Sequence, residues 1–88
     1  MTQPRDELAS AIKAIFAEVY RDQTEGAEPP ALTDETVLLD TGMDSLGYAV
    51  LVTRLEEELG YDPFTLSTEA YYPATFGEFV DFYLRNQA

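Results

Sequence analysis

Apolar residues recur at three- and four-residue intervals in three separate stretches of this chain, and nowhere do they alternate with period two over a useful length. That pattern selects helices packed by their apolar stripes and leaves no strand to be expected. In the first stretch Leu8, Ala11, Ile12, Ile15 and Val19 share a face, with Asp6 and Glu7 in the opening turn where negative charge suits the helix dipole, predicting a helix over 4–21. The second predicts a helix from Ser45 or Leu46 to Leu59, ended by a left-handed Gly60, with Tyr48, Leu51, Val52, Leu55 and Leu59 on its core face. The third opens on Thr75-Phe76-Gly77-Glu78, which matches the reciprocal capping box, and carries Phe76, Phe79, Val80, Tyr83 and Leu84 as its buried stripe, with Phe82 also assigned to packing. Asp62-Pro63 predicts a turn, and Ser67 to Tyr72 one or two turns of helix before Pro73 stops it. The expected architecture is all-α: a bundle of three main helices and a short third one, forming a single domain over 1–88.

A polar connection, Asp22 to Pro30, ends in two prolines and is expected to be the most mobile part of the chain, with Val37-Leu38-Leu39 pinning the loop to the core just before Ser45. Seventeen acidic residues against five basic ones give a net charge of −12. Coulomb repulsion then disfavours nucleic acid and anionic membranes and favours basic protein partners. Cysteine and histidine are both absent, which removes disulfides, a thiolate nucleophile, a Cys-based zinc site and the commonest general base near neutral pH. No apolar run approaches the ~18–20 residues that span a bilayer, and the N-terminus lacks a signal-peptide layout, so a soluble, cytoplasmic monomer is expected.

Ser45 stands where the loop Leu38 to Asp44 gives way to the second helix. Its hydroxyl has no histidine to activate it, and the only lysine, Lys13, belongs to another helix, so no Ser-His triad and no catalytic residue is assigned. Either Asp44 or Ser45 suits the N-cap. On the side of the second helix opposite its core face, Leu46, Ala49, Val50 and Thr53 cluster, while Glu56, Glu57 and Glu58 make its C-terminal half acidic. An apolar patch beside the serine of a charged chain reads as a docking surface or the lip of a cavity, so Leu46, Ala49, Val50, Thr53 and Glu57 are the candidate partner-binding residues. A calcium loop counted from Asp40 fails, since its twelfth position is Leu51, and no metal site is assigned.

The run Asp40-Thr41-Gly42-Met43-Asp44-Ser45-Leu46, followed by Leu51, Leu55-Glu56-Glu57-Glu58 and Pro73 to Phe79, resembles the acyl carrier proteins over most of the chain. The resemblance implies a four-helix acyl-carrier bundle with a short third helix. It also implies covalent 4′-phosphopantetheine on Ser45, transferred from coenzyme A, with Asp44 taking part in enzyme recognition. Such a carrier is not itself an enzyme. It holds acyl groups as thioesters and meets a phosphopantetheinyl transferase, an acyl-loading ligase or transferase, and downstream acyl-using enzymes of fatty-acid or polyketide type. Two departures stand out: Gly47, Tyr48, Ala49 and Val50 replace the acidic and polar residues usual after Asp-Ser-Leu in fatty-acid carriers, and Thr41 stands where an apolar residue is common. They point to a discrete carrier of a specialised pathway, loaded by an adenylate-forming ligase. The alternatives are an aminoacyl or peptidyl carrier, against which Asp44 tilts the choice, and an unmodified acidic interaction module.

Overall fold

The computed structural model describes residues 3–66 and 73–87. Among these the chain forms α1 (Arg5–Gln23), α2 (Ser45–Leu59), α3 (Pro63–Leu66) and α4 (Phe76–Arg85), with one 3-10 turn, Leu38–Asp40, just ahead of α2. No strand forms among the described residues, in keeping with the absence of period-two patterning; Val37 and Thr75 make an isolated antiparallel bridge. The all-α bundle with one short helix is as expected.

Helix α1 follows Pro4 and carries Asp6 and Glu7 in its first turn and Arg21 in its last, each sign complementing the helix dipole. It buries Leu8, Ile12, Phe16 and Val19, while Ile15 lies half-buried at the margin of the stripe. Helix α2 buries Leu51 and Leu55 completely and sets Tyr48, Val52 and Leu59 against the core, ending at the left-handed Gly60. Helix α4 opens on the full capping box, Thr75 Oγ1 accepting from the Glu78 amide at 3.2 Å while Glu78 Oε1 accepts from the Thr75 amide at 3.3 Å. Beneath it lie Phe76, Phe79, Val80, Phe82 and Tyr83. Helix α1 packs on both α2 and α4, so the core sits between these three, each buried leucine or phenylalanine contributing about 1.5–3 kcal/mol.

Asp62-Pro63, expected as a turn, instead opens the short helix α3. Pro63 is its first residue, a place where the missing N–H costs nothing, and Asp62 caps it by accepting from the Phe64 amide at 2.9 Å. The helix expected from Ser67 to Tyr72 lies outside the described residues. Phe64 brings α3 onto the core through Phe82 (ring centroids 4.9 Å), Tyr83 (6.2 Å) and Phe79 (6.4 Å). Tyr61 donates its hydroxyl to the Tyr83 carbonyl at 3.0 Å, and the Tyr83 hydroxyl is buried with no hydrogen-bond partner among the described residues.

The connection between α1 and α2 is pinned more by its backbone than by the apolar run. Of Val37, Leu38 and Leu39, only Leu38 enters the core; Val37 and Leu39 are 38% and 52% exposed. The backbone supplies the rest: the Leu38 amide donates to the Ala74 carbonyl (3.0 Å), the Phe76 amide to Thr36 (2.8 Å) and the Gly77 amide to Asp34 (3.0 Å). Arg5 adds an outer tie, donating to Asp81 at 2.7 Å and to Asp34 at 3.2 Å, and these two hydrogen-bonded carboxylates raise its pKa.

Candidate functional site

The junction into α2 separates two roles that residue type alone left open. Asp44 is the N-cap: its backbone is extended, its Oδ1 accepts from the Gly47 amide at 2.8 Å, and its carbonyl accepts from the Tyr48 amide at 3.0 Å. Ser45 is therefore the first helical residue. It is exposed, and among the described residues nothing hydrogen-bonds its hydroxyl. The first turn of α2 carries no acidic residue, so a phosphate on Ser45 would meet the amide end of the helix rather than a carboxylate of that turn.

Ser45 stands at the edge of an apolar cleft of ≈ 410 Å³, lined among the described residues by Leu39, Ser45, Tyr48, Pro73 and Ala74. Tyr48 has a double place. Its ring packs edge-on against Phe79 (5.7 Å) and Phe64 (6.5 Å), as a core residue should, and its hydroxyl reaches the Pro73 carbonyl across the cleft at 3.4 Å. Gly47, unusual in this position by the resemblance, has a steric cause: a Cβ there would lie 2.9 Å from Cγ of Met43, which is folded beneath the helix start and only 2% exposed. Leu39, Pro73 and Ala74 were not singled out as site residues from the sequence. Leu39 reads from the sequence as a loop anchor and Pro73 as a helix stop and part of the family-like run, and nothing local announces that residue 73 lines a cleft with residue 45.

A family model described as the phosphopantetheine attachment site matches residues 10–67, which take in most of α1, the serine loop, all of α2 and α3. The chain belongs to this family, that of the acyl carrier proteins. No curated protein and no solved structure matches it. Members carry 4′-phosphopantetheine covalently, and the residues present fit that group: an exposed hydroxyl with no bond to break, a capped helix start, and apolar space beside it. Carrier domains of this kind are generally non-catalytic and interact with a phosphopantetheinyl transferase and with acyl-handling enzymes.

On the outer side of α2 the carrier exposes Leu46 (65%), Ala49 and Thr53, the threonine hydroxyl donating to the Ala49 carbonyl at 3.0 Å. Val50 departs from that group. It is half-buried and packs against the core, because α2 is covered along a band wider than its primary stripe. Leu39 instead joins Leu46 as a large exposed apolar residue close to the serine. Glu56, Glu57 and Glu58 are all exposed farther along the helix, and Arg54 is paired across to Glu18 on α1 at 3.2 Å. Lys13 sits over the Phe76 ring, 5.7 Å from its centroid. Among the described residues no helix is long and apolar enough to cross a membrane, and no group of acidic side chains is arranged to hold a metal ion.

Proposed function

We propose that Ser45 is the attachment residue and that the chain carries acyl groups between enzymes of a specialised biosynthetic pathway. The observation that carries this reading is the division of labour at the start of α2: Asp44 holds the cap, which leaves the Ser45 hydroxyl exposed and unengaged. Once attached, the arm supplies a terminal thiol on which acyl groups are held as thioesters. The chain itself contributes the aim. The cap fixes where the serine projects, and the walls formed by Leu39, Tyr48, Pro73 and Ala74 offer apolar cover beside it.

With no histidine in the chain and Lys13 engaged at Phe76, the base that removes the Ser45 proton has to come from the transferase. This supports a carrier role without catalysis of its own. The exposed Leu46, together with Ala49 where an acidic or polar residue is usual in fatty-acid carriers, favours partners that present an apolar contact near the serine, with Glu57 and its neighbours available to a basic rim. Asp44 before the serine favours acyl over aminoacyl cargo.

Incubation with coenzyme A, Mg²⁺ and a broad-specificity phosphopantetheinyl transferase tests the assignment by intact mass. One phosphopantetheine is expected on the wild-type chain and none on Ser45→Ala. Labelling of the alanine variant, or an unchanged wild-type mass, rejects Ser45. Intact mass of the protein isolated from its own host then separates acyl from aminoacyl cargo.

A further inference from the structure

We propose that Tyr20 is a positioning residue for the modification of Ser45, its hydroxyl reaching from α1 to the Thr41 carbonyl and steadying the loop that aims the serine. The inference rests on Ser45 being the attachment residue. Tyr20 is anchored at its base, where its ring stacks on the buried Phe16 with centroids 5.8 Å apart and an interplanar angle of 27°. At its tip the hydroxyl donates to the Thr41 carbonyl at 3.0 Å. Among the described residues this is the only hydrogen bond between an α1 side chain and the segment from Leu38 to Ser45.

The tyrosine tip also accounts for the residue next to it. Gly42 has φ +102°, a conformation that side chains with a Cβ rarely adopt, and a Cβ built there would stand 3.0 Å from the Tyr20 hydroxyl. Thr41, which replaces the apolar residue usual in the family, continues the bracing. Its hydroxyl donates to the Leu38 carbonyl at 2.6 Å and accepts from the Met43 amide at 3.4 Å. Met43 is then held by burial and Asp44 by its cap bond. Thr41, Met43 and Asp44 ahead of Ser45 are thus each restrained by a different contact, and Tyr20 supplies the side-chain hydrogen bond that comes from another helix.

The hydroxyl is not needed to hold the core together. Phe16, Leu38 and Met43 belong to the buried core against which Tyr20 packs, and the Tyr20 ring can keep its stack on Phe16 without the oxygen. What the hydroxyl restrains is the spread of positions available to the loop. The Ser45 oxygen attacks the pantetheine-bearing phosphorus of coenzyme A in line with the departing adenosine 3′,5′-bisphosphate while its proton passes to a base of the transferase, so a wider spread lowers the fraction of encounters that react.

The test uses the intact chain, coenzyme A, Mg²⁺ and a broad-specificity transferase at 25 °C, with progress read by mass. Loss of one hydrogen bond of ordinary strength in Tyr20→Phe is expected to lower kcat/KM for the carrier about 3- to 10-fold. KM for coenzyme A and the far-UV helix signal should be unchanged, which a merely structural defect would not achieve. Gly42→Ala should also slow modification, and its added penalty should be smaller in the Tyr20→Phe background, where the methyl no longer meets a hydroxyl. Wild-type rates for Tyr20→Phe overturn the proposal, as does a Tyr20→Phe chain that fails to fold, since the tyrosine oxygen would then be a requirement of the core. A wild-type chain that takes up no phosphopantetheine overturns the Ser45 assignment and this proposal together, whereas normal uptake by both proteins overturns this proposal alone.

Discussion

Substituting the two neighbours at the start of α2 one at a time should give opposite results, because the structure assigns the cap to Asp44 and leaves the Ser45 hydroxyl unbonded. Asp44→Ala removes the acceptor for the Gly47 amide, a 2.8 Å bond, and leaves that donor at the helix start to water. Loss of an N-cap of this type costs about 0.5–2 kcal/mol, and the carboxylate's favourable place at the positive end of the dipole adds about 0.3–1 kcal/mol, discounted here for exposure. A loss of about 1–2 kcal/mol is the outcome, which for a domain of this size lowers Tm by about 5–15 °C. Ser45→Ala breaks no hydrogen bond and puts the best helix former at the first helical position, so its Tm should stay within about 2 °C of wild type. Asp44→Asn keeps a capping oxygen and should fall between the two, close to wild type. Thermal unfolding followed by far-UV circular dichroism gives the three midpoints, and mass after transferase treatment gives the modification. A Ser45→Ala variant destabilised as much as Asp44→Ala would refute the assignment of the cap to Asp44, for the serine would then be the working cap.

Other substitutions probe the same neighbourhood. Gly47→Ala sets a helix-propensity gain of up to ~1 kcal/mol against about 1–3 kcal/mol for crowding the buried Met43, so a net loss near 1 kcal/mol is expected in urea unfolding, and a more stable variant would contradict the close contact between Gly47 and Met43. Leu46→Glu should slow loading by the carrier's own ligase while leaving Tm unchanged, whereas Val50→Glu should lower Tm, since it forces a carboxylate against the core; the reverse pattern would show that the partner face is misplaced. Burial raises the pKa of Tyr83 strongly and that of Tyr61 as well. Both phenols therefore keep their protons in the fold at pH values where the unfolded chain, titrating near pH 10, has lost them. Stability is fully present below about pH 10 and falls as pH rises toward the folded-state values, by up to ~1.4 kcal/mol per pH unit for the deeply buried Tyr83, with only a minor, solvent-screened part from Tyr61. Urea midpoints from pH 9 to 11 should show that decline, flattened in Tyr83→Phe, and a parallel decline in the variant would assign it elsewhere.

The three long helices were legible because each announces itself locally, through a stripe of apolar residues and a recognisable end: Asp6 and Glu7 at the start of α1, Gly60 after α2, the capping box at Thr75. The observed bounds of α1 and α2 and the start of α4 fall within two residues of those read from the sequence. The start of α3 was not legible, because a proline after aspartate reads equally as a turn and as the first turn of a helix. Asp44 and Ser45 are both capping types, so only geometry could divide the roles. The cleft was hidden for a different reason. Its walls come from the turn before α2, from α2 itself and from the segment before α4, and a contact between residues as distant as Tyr48 and Pro73 leaves no periodic trace in either. Val50 was misplaced because a wheel separates two faces cleanly, whereas a helix lodged among several elements is covered well beyond one stripe.

The backbone bonds that run from Asp34, Thr36 and Leu38 to Gly77, Phe76 and Ala74 have a consequence for the order in which the protein is made. They join segments about forty residues apart, and contacts of such separation form only at the cost of closing the intervening loop. During synthesis the serine leaves the ribosome well before α4 does. Until α4 docks, Leu38 lacks its backbone partner at Ala74, and the turn leading to the serine has no fixed support on that side. Presentation of Ser45 should therefore wait on the docking of α4, and a chain cut before α4 is expected to be a poorer acceptor than one that contains it.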